Sequence, residues 1–221
     1  MSSNRHLGLV ACVWLASVST VAADTISFSA SAPLRRTNWT DTLYIPQFDP
    51  SLGQLELIDF NLNATVQGDA RFENLNPTPR SVTMSLRAML EMRRPENTIL
   101  QVALPESSFV QALGGFDGVL DFMGASGRSY LGITSSVTEA RSSPDPVSDL
   151  LLFTGTGMMS LPVTATGQSF ISGGGNLAFL FNTFGQAELT VTYTYSIIPE
   201  PALGAMVMLS LMLLRRRLAH R

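Results

Sequence analysis

No lysine occurs in the 221-residue sequence, and it has a single cysteine and two histidines. The cysteine is Cys12 and the histidines are His6 and His220, so all three sit in the terminal segments. The middle of the chain is thus without Cys, His and Lys. That absence removes Ser-His-Asp and Cys-His nucleophile systems, Ser-Lys pairs, lysine Schiff bases and His/Cys zinc or copper centres. The fold must also hold together without a disulfide. No Asp-x-Asp-x-Asp-Gly run offers a calcium loop, and no stretch of the middle carries an amphipathic helix pattern. Long hydrophobic runs are missing too. The apolar stretch near the C-terminus spans about 13 residues, or roughly 20 Å as a helix, against a hydrocarbon core of roughly 30 Å.

All 14 basic residues counted as Lys+Arg are arginines, and four of them (Arg215, Arg216, Arg217 and Arg221) fall in the last seven positions. Between the two ends, nine Arg face sixteen Asp and Glu. That balance is a poor match to a phosphate backbone and excludes nucleic acid as the expected partner.

Both ends carry targeting signals. Arg5 and His6 precede an apolar run from Leu7 to Val18, and small residues follow through Val21-Ala22-Ala23. This order predicts a secretory signal peptide over 1–23, cleaved after Ala23, so that the Sec translocon and signal peptidase handle the chain. A lipobox-like Leu9-Val10-Ala11-Cys12 is set aside, because too little apolar chain precedes Cys12. At the other end Pro199-Glu200-Pro201 stops any strand and holds the backbone extended. The uncharged stretch Ala202 to Leu214 and the cluster Arg215-Arg216-Arg217 come next. Arginines kept on the cytoplasmic side can snorkel and help a short helix reach across. The arrangement predicts a short transmembrane helix that serves as a temporary stop.

The Pro-Glu-Pro motif, apolar stretch and arginine cluster over 199–221 resemble the PEP-CTERM sorting signal of Gram-negative bacteria. The resemblance implies recognition by exosortase, a membrane-embedded cysteine transpeptidase-like enzyme that processes its substrates near the motif. It also implies transient tethering to the inner membrane, then delivery to the cell surface or extracellular matrix, in the company of exopolysaccharide and biofilm.

From Asp24 to Ser196 the pattern has period two. Thr25 to Ser29 alternates, as do Val82, Met84, Leu86, Ala88, Leu90 and Met92 against polar neighbours, and Ala187, Leu189, Val191, Tyr193 and Tyr195 against Glu188, Thr190, Thr192 and Thr194. Each run reads as a half-buried strand. The apolar phase shifts near Ile58-Asp59, which predicts a bulge. Turn clusters stand at Asp49 to Gly53, Asn74 to Pro79, Gly114-Gly115, Ser142 to Pro146 and Gly173 to Gly175. The prediction is an all-β domain over 24–198, an antiparallel β-sandwich of jelly-roll or immunoglobulin-like type.

The same stretch resembles the choice-of-anchor E domain of exported bacterial proteins. The resemblance rests on Phe48-Asp49-Pro50-Ser51-Leu52-Gly53, Phe72-Glu73-Asn74-Leu75, Phe116-Asp117-Gly118, Leu120-Asp121-Phe122 and Ser126-Gly127-Arg128. It continues through Phe153-Thr154-Gly155-Thr156-Gly157, Ser172-Gly173-Gly174-Gly175-Asn176 and Val191-Thr192-Tyr193-Thr194-Tyr195. It implies surface localisation and β-architecture, and it brings no catalytic residues.

Chemistry without His, Lys or Cys falls to carboxylates: Asp117 with Asp121, Asp145 with Asp149, and Asp49. A convergent pair could cleave glycosides, and Asp117 with Asp121 could offer oxygens to calcium. Acids beside glycine more commonly serve turns, so no catalytic residue, metal or cofactor is expected. Trp39, with Tyr44, is the candidate platform for stacking sugar rings, set against the plainer role of an edge residue capping the sandwich. The expected function is therefore a non-enzymatic surface or matrix protein. The alternative is a sandwich module that binds or cleaves matrix glycans.

Overall fold

In the computed structural model, the described residues are 23–143 and 147–197. The sorting motif Pro199-Glu200-Pro201, the cluster Arg215 to Arg217 and the signal segment before Ala23 lie outside them.

Alternating apolar side chains need a sheet with one face on a core, and two such sheets supply one to each other. The strands are β1 (Ala23–Arg36), β2 (Trp39–Pro46), β3 (Gln54–Asn74), β4 (Arg80–Arg93), β5 (Ile99–Ala103), β6 (Glu106–Leu113) and β7 (Gly127–Ser143). A six-residue helix α1 (Val147–Leu152) precedes β8 (Met158–Gly167), β9 (Phe170–Ser172) and β10 (Leu177–Ser196). One sheet has the order β1-β10-β3-β7, and the other β2-β8-β4-β5, with β6 and β9 also on β4. All strand pairs are antiparallel.

The inward positions read from the sequence form the core. Val82, Met84, Leu86, Ala88, Leu90 and Met92 of β4 are buried, and so are Ala187, Leu189, Val191, Tyr193 and Tyr195 of β10. Phe60, Leu62, Ala64 and Val66 of β3 join them. The expected phase shift in β3 is a bulge at Glu56: Thr194 pairs with Leu57 and Tyr195 with Leu55, leaving Glu56 unpaired. Its place is two residues before Ile58, where the buried series begins.

A second irregularity bends the far half of this sheet. Between the pairs Gly68–Ile133 and Ala70–Tyr130, Asp69 alone faces Leu131 and Gly132. Gly132 takes a φ of 65° there and donates its N–H to Asp69 Oδ1 at 3.0 Å. The left-handed backbone costs a residue without Cβ nothing. Opposite, a Cβ on Gly68 would stand 1.9 Å from the Asn182 carbonyl oxygen, so β3 and β10 meet closely only because that position is glycine.

The long central strands set two loop-bearing ends. With 21 residues in β3, at about 3.3 Å per residue, these ends stand up to roughly 65 Å apart. At one end Ala23 pairs with Ser196, so the domain's first and last strands start and stop together. The turn Leu75 to Pro79, the β6–β7 connection and the β9–β10 turn occupy the other.

Candidate functional site

Parity decides the aromatic candidates. Trp39 and Tyr44 lie five positions apart on β2, and side chains alternate between faces along a strand. Trp39 packs against the core with Leu43 and Ile45, while Tyr44 points outward and is 59% exposed. The two cannot form one stacking platform. Arg35 lies over the Trp39 ring, its guanidinium carbon 4.6 Å from the ring centre, and is held by Asp41 at 2.6 Å. Trp39 thus sits on the edge strand β2 with its ring between the core and the Arg35 guanidinium.

Asp49, Asp117, Asp121 and Asp149 are each engaged in folding contacts. Asp49 Oδ1 accepts from Ser51 N–H at 2.8 Å, and the backbone and hydroxyl of Ser51 hold its carboxyl below the usual range. Asp117 Oδ1 accepts from Val119 N–H at 3.1 Å and Asp121 Oδ1 from Met123 N–H at 2.9 Å. These i to i+2 contacts are turn-forming bonds of the kind short acids make. Asp149 is fully buried and accepts from Arg94 Nε at 2.6 Å and Nη2 at 2.8 Å. That hydrogen bonding raises the already high pKa of Arg94. Asp145 lies outside the described residues. Among the described residues no group of three or more His, Cys, Asp or Glu gathers in a way that could hold a metal ion.

Two clasps that pattern reasoning did not assemble close the sandwich ends. At the far end Glu73, with no exposed surface, accepts from Asp121 N–H at 3.0 Å, Phe122 N–H at 2.7 Å and Ser126 Oγ at 3.0 Å. Beside it, buried Asn74 donates to the carbonyls of Thr78 (2.9 Å) and Gly114 (2.7 Å) and accepts from Asn76 N–H at 3.0 Å. Leu75 N–H reaches the Asn176 carbonyl at 2.9 Å. The Phe72 to Leu75, Leu120 to Phe122, Ser126 and Ser172 to Asn176 segments therefore meet in one polar knot. It pins a loop on which Phe116, Val119, Leu120 and Met123 are exposed.

At the other end Phe48 is buried against Tyr193 and Tyr195, with ring centres 6.0 and 5.0 Å away. Its N–H donates to the Phe153 carbonyl at 2.8 Å, and its carbonyl accepts from Gly155 N–H at 2.9 Å. The Phe48 to Gly53 and Phe153 to Gly157 segments thus meet beside the last strand. Tyr193 donates its hydroxyl to the Pro46 carbonyl at 2.8 Å, and burial raises its pKa. Tyr195 shifts the same way, chiefly through burial and then through the charge of Asp24. An open apolar cavity of about 480 Å³ lies at this end, lined by Pro50, Leu55, Leu150 and Leu151 among others.

No family model and no curated protein matches the chain. Among solved structures, a chain in the structure of the infectious bursal disease virus Gx strain aligns at 10% identity and a TM-score of 0.20. That alignment covers 82% of this chain and 38% of that one. A VP2 subviral particle of the same virus aligns at 12% identity and a TM-score of 0.20, covering 90% of this chain and 49% of that one. The chain thus spans less than half the length of each of these, and at such scores the likeness carries no argument. Among the described residues no helix is long and apolar enough to cross a membrane.

Proposed function

We propose that this chain is an exported, non-enzymatic surface or extracellular-matrix protein, released through its 199–221 tail by exosortase and associated with exopolysaccharide. The reading is carried by the tail itself: Pro199-Glu200-Pro201, an uncharged stretch and Arg215 to Arg217, in that order. The fold supports it in one respect. Ala23, the expected cleavage residue, pairs with Ser196, three residues before Pro199. A domain whose ends lie together can be exported, tethered at one point and cut loose without disturbing its core. The turn and ion-pair duties of Asp49, Asp117, Asp121 and Asp149 support the non-enzymatic part.

The jelly-roll form of sandwich is favoured over the immunoglobulin-like one. Counting β5 with β6 as one ribbon and β8 with β9 as another leaves eight ribbons. Their pairing is first with eighth, second with seventh, third with sixth and fourth with fifth. That is one long hairpin wound around a core, the arrangement of a double Greek key.

The test is to replace Pro199, Glu200 and Pro201 with alanine in the producing bacterium and follow the protein by fractionation and C-terminal mass. The variant should stay with the inner membrane, uncut. Secretion and a C-terminal mass identical to the parent's would overturn the sorting role.

A further inference from the structure

The sheet β1-β10-β3-β7 has two edges, and they are built differently. Natural sheets guard their edges with charge, bulges, proline or covering side chains, because unpaired N–H and C=O groups invite another strand. Edge β7 has such guards. Gly132 breaks it with a bulge, Arg128, Glu139 and Arg141 place charge along it, and the Glu139 carbonyl accepts from Gln101 Nε2 at 2.6 Å. Edge β1 has none between Thr25 and Ala32. That stretch contains no charge and no proline, and its register on β10 is unbroken from Ala23 to Ala32. The irregularity and Pro33 come only afterwards. Among the described residues no strand pairs with its free side.

The hydrogen bonds show which groups are free. Thr25 N–H is taken by Asp24 Oδ1 at 2.8 Å, which puts the N–H and C=O of Thr25 on the open side. The two-residue repeat puts those of Ser27, Ser29 and Ser31 there as well. Ile26, Phe28 and Ala30 pack toward the core. The hydroxyls of Ser27 and Ser29 bond to Thr192 (2.8 Å) and Thr190 (2.9 Å), leaning inward over the sheet rather than across the edge.

We propose that β1 is an assembly edge, to which the β1 strand of a second copy of this chain adds antiparallel, giving one continuous eight-stranded sheet. The register sets Ser27 opposite Ser29 of the other copy and Thr25 opposite Ser31, with Phe28 facing its equivalent on the two-fold axis. This register uses the whole run Asp24–Ala32. Sliding by one residue pair in one direction would set Pro33, which has no N–H, against Thr25, and in the other would set Ser31 against Ala23, the residue that the expected signal cleavage removes. No like charges are opposed, since Asp24 faces Ala32. Four residue pairs would exchange two bonds each, and with Thr25 N–H of both copies already held by Asp24 Oδ1 they give about six new main-chain hydrogen bonds. A second copy fits because the strand is self-complementary. Hydroxyls continue across the seam on the outer face and apolar side chains on the inner one, and the two-fold closes the assembly at two chains.

The test is sedimentation velocity on the full chain in mild detergent at high micromolar concentration, with three proteins. The parent should sediment at twice the monomer mass. The S27K/S29K double variant should fall to monomer mass while keeping a cooperative thermal transition, because both residues are exposed in the single domain and lose only surface hydroxyl bonds to Thr192 and Thr190. A T134K/S136K control on the outer face of β7 should remain paired. A monomeric parent, a variant that stays paired, or a control that dissociates with it each overturns the proposal. Register is read in a Cys12→Ser background. A mixture of Ser27→Cys and Ser29→Cys chains should cross-link several-fold faster than either alone, and equal rates would overturn the stated pairing. None of these readouts involves exosortase, so a failure here is distinct from a failure of the sorting role.

Discussion

Arg94 and Asp149 form a two-point ion pair shut away from solvent, Nε to Oδ1 at 2.6 Å and Nη2 to Oδ2 at 2.8 Å. The pair ties α1 to the turn after β4, where Arg94 Nη1 also donates to the Ile99 carbonyl at 2.9 Å. Removing one partner strands a buried charge, which costs more than the pair itself contributes. Arg94→Met or Asp149→Leu alone should destabilise the domain by about 3–5 kcal/mol in urea unfolding, and the double replacement should recover most of the loss. Single costs below about 1 kcal/mol would mark the pair as incidental.

Glu73 plays the corresponding part at the far end. Its carboxylate is the common acceptor for Asp121 N–H, Phe122 N–H and Ser126 Oγ. Glu73→Leu leaves three donors without a partner, at a cost of about 2–3 kcal/mol. The loss should be local in its signature. Hydrogen exchange at Asp121 and Phe122 should accelerate at least about tenfold while β10 amides keep their protection. Uniform acceleration along the chain would show that the knot is not a separate unit.

These two clasps mark the limit of what the sequence shows. β3, β4 and β10 are legible because their inward positions are almost all apolar, so period two survives intact. β7 is not, because its inward series includes Ser135, Glu139 and Arg141. At a sheet edge such long stems can reach out, as Arg141 Nη1 does to the Leu100 carbonyl at 3.0 Å. Arg94 and Asp149 stand 55 positions apart and Glu73 about 50 from its donors. No local pattern encodes such meetings. Pattern did flag the Phe72 to Leu75 and Leu120 to Phe122 segments, as motif residues rather than as partners. The opposite facing of Trp39 and Tyr44 was legible, since five positions on one strand is an odd number.

Tyr193 makes stability fall at high pH. Burial raises its folded pKa, while an unfolded tyrosine ionises near about pH 10. A group whose folded pKa lies above its unfolded one contributes stability fully below the unfolded value and loses it as pH rises beyond. Urea midpoints should hold steady up to about pH 9 and decline above about pH 10. Tyr193→Phe removes the bond to the Pro46 carbonyl, so it should be less stable at neutral pH and decline less steeply. Tyr195, raised in the same direction, should keep some slope in that variant. A parent midpoint that is flat through about pH 11 would contradict the buried phenol.

Trp39 separates a packing role from a sugar-stacking one. It is the only tryptophan outside the segment that precedes Ala23, so the fluorescence of the folded domain after signal cleavage reports on it alone. Its ring lies between the core and the Arg35 guanidinium. Trp39→Ala should therefore cost about 2 kcal/mol, below the range for a fully buried aromatic. Tyr44→Ala, on the outer face, should shift the unfolding midpoint little. Soluble glycans from the producing organism should leave the Trp39 emission unchanged, since no sugar ring can reach a face already covered by Arg35 and the core. A blue shift on adding glycan, lost in Trp39→Ala, would reverse this assignment and restore Trp39 as a ligand contact.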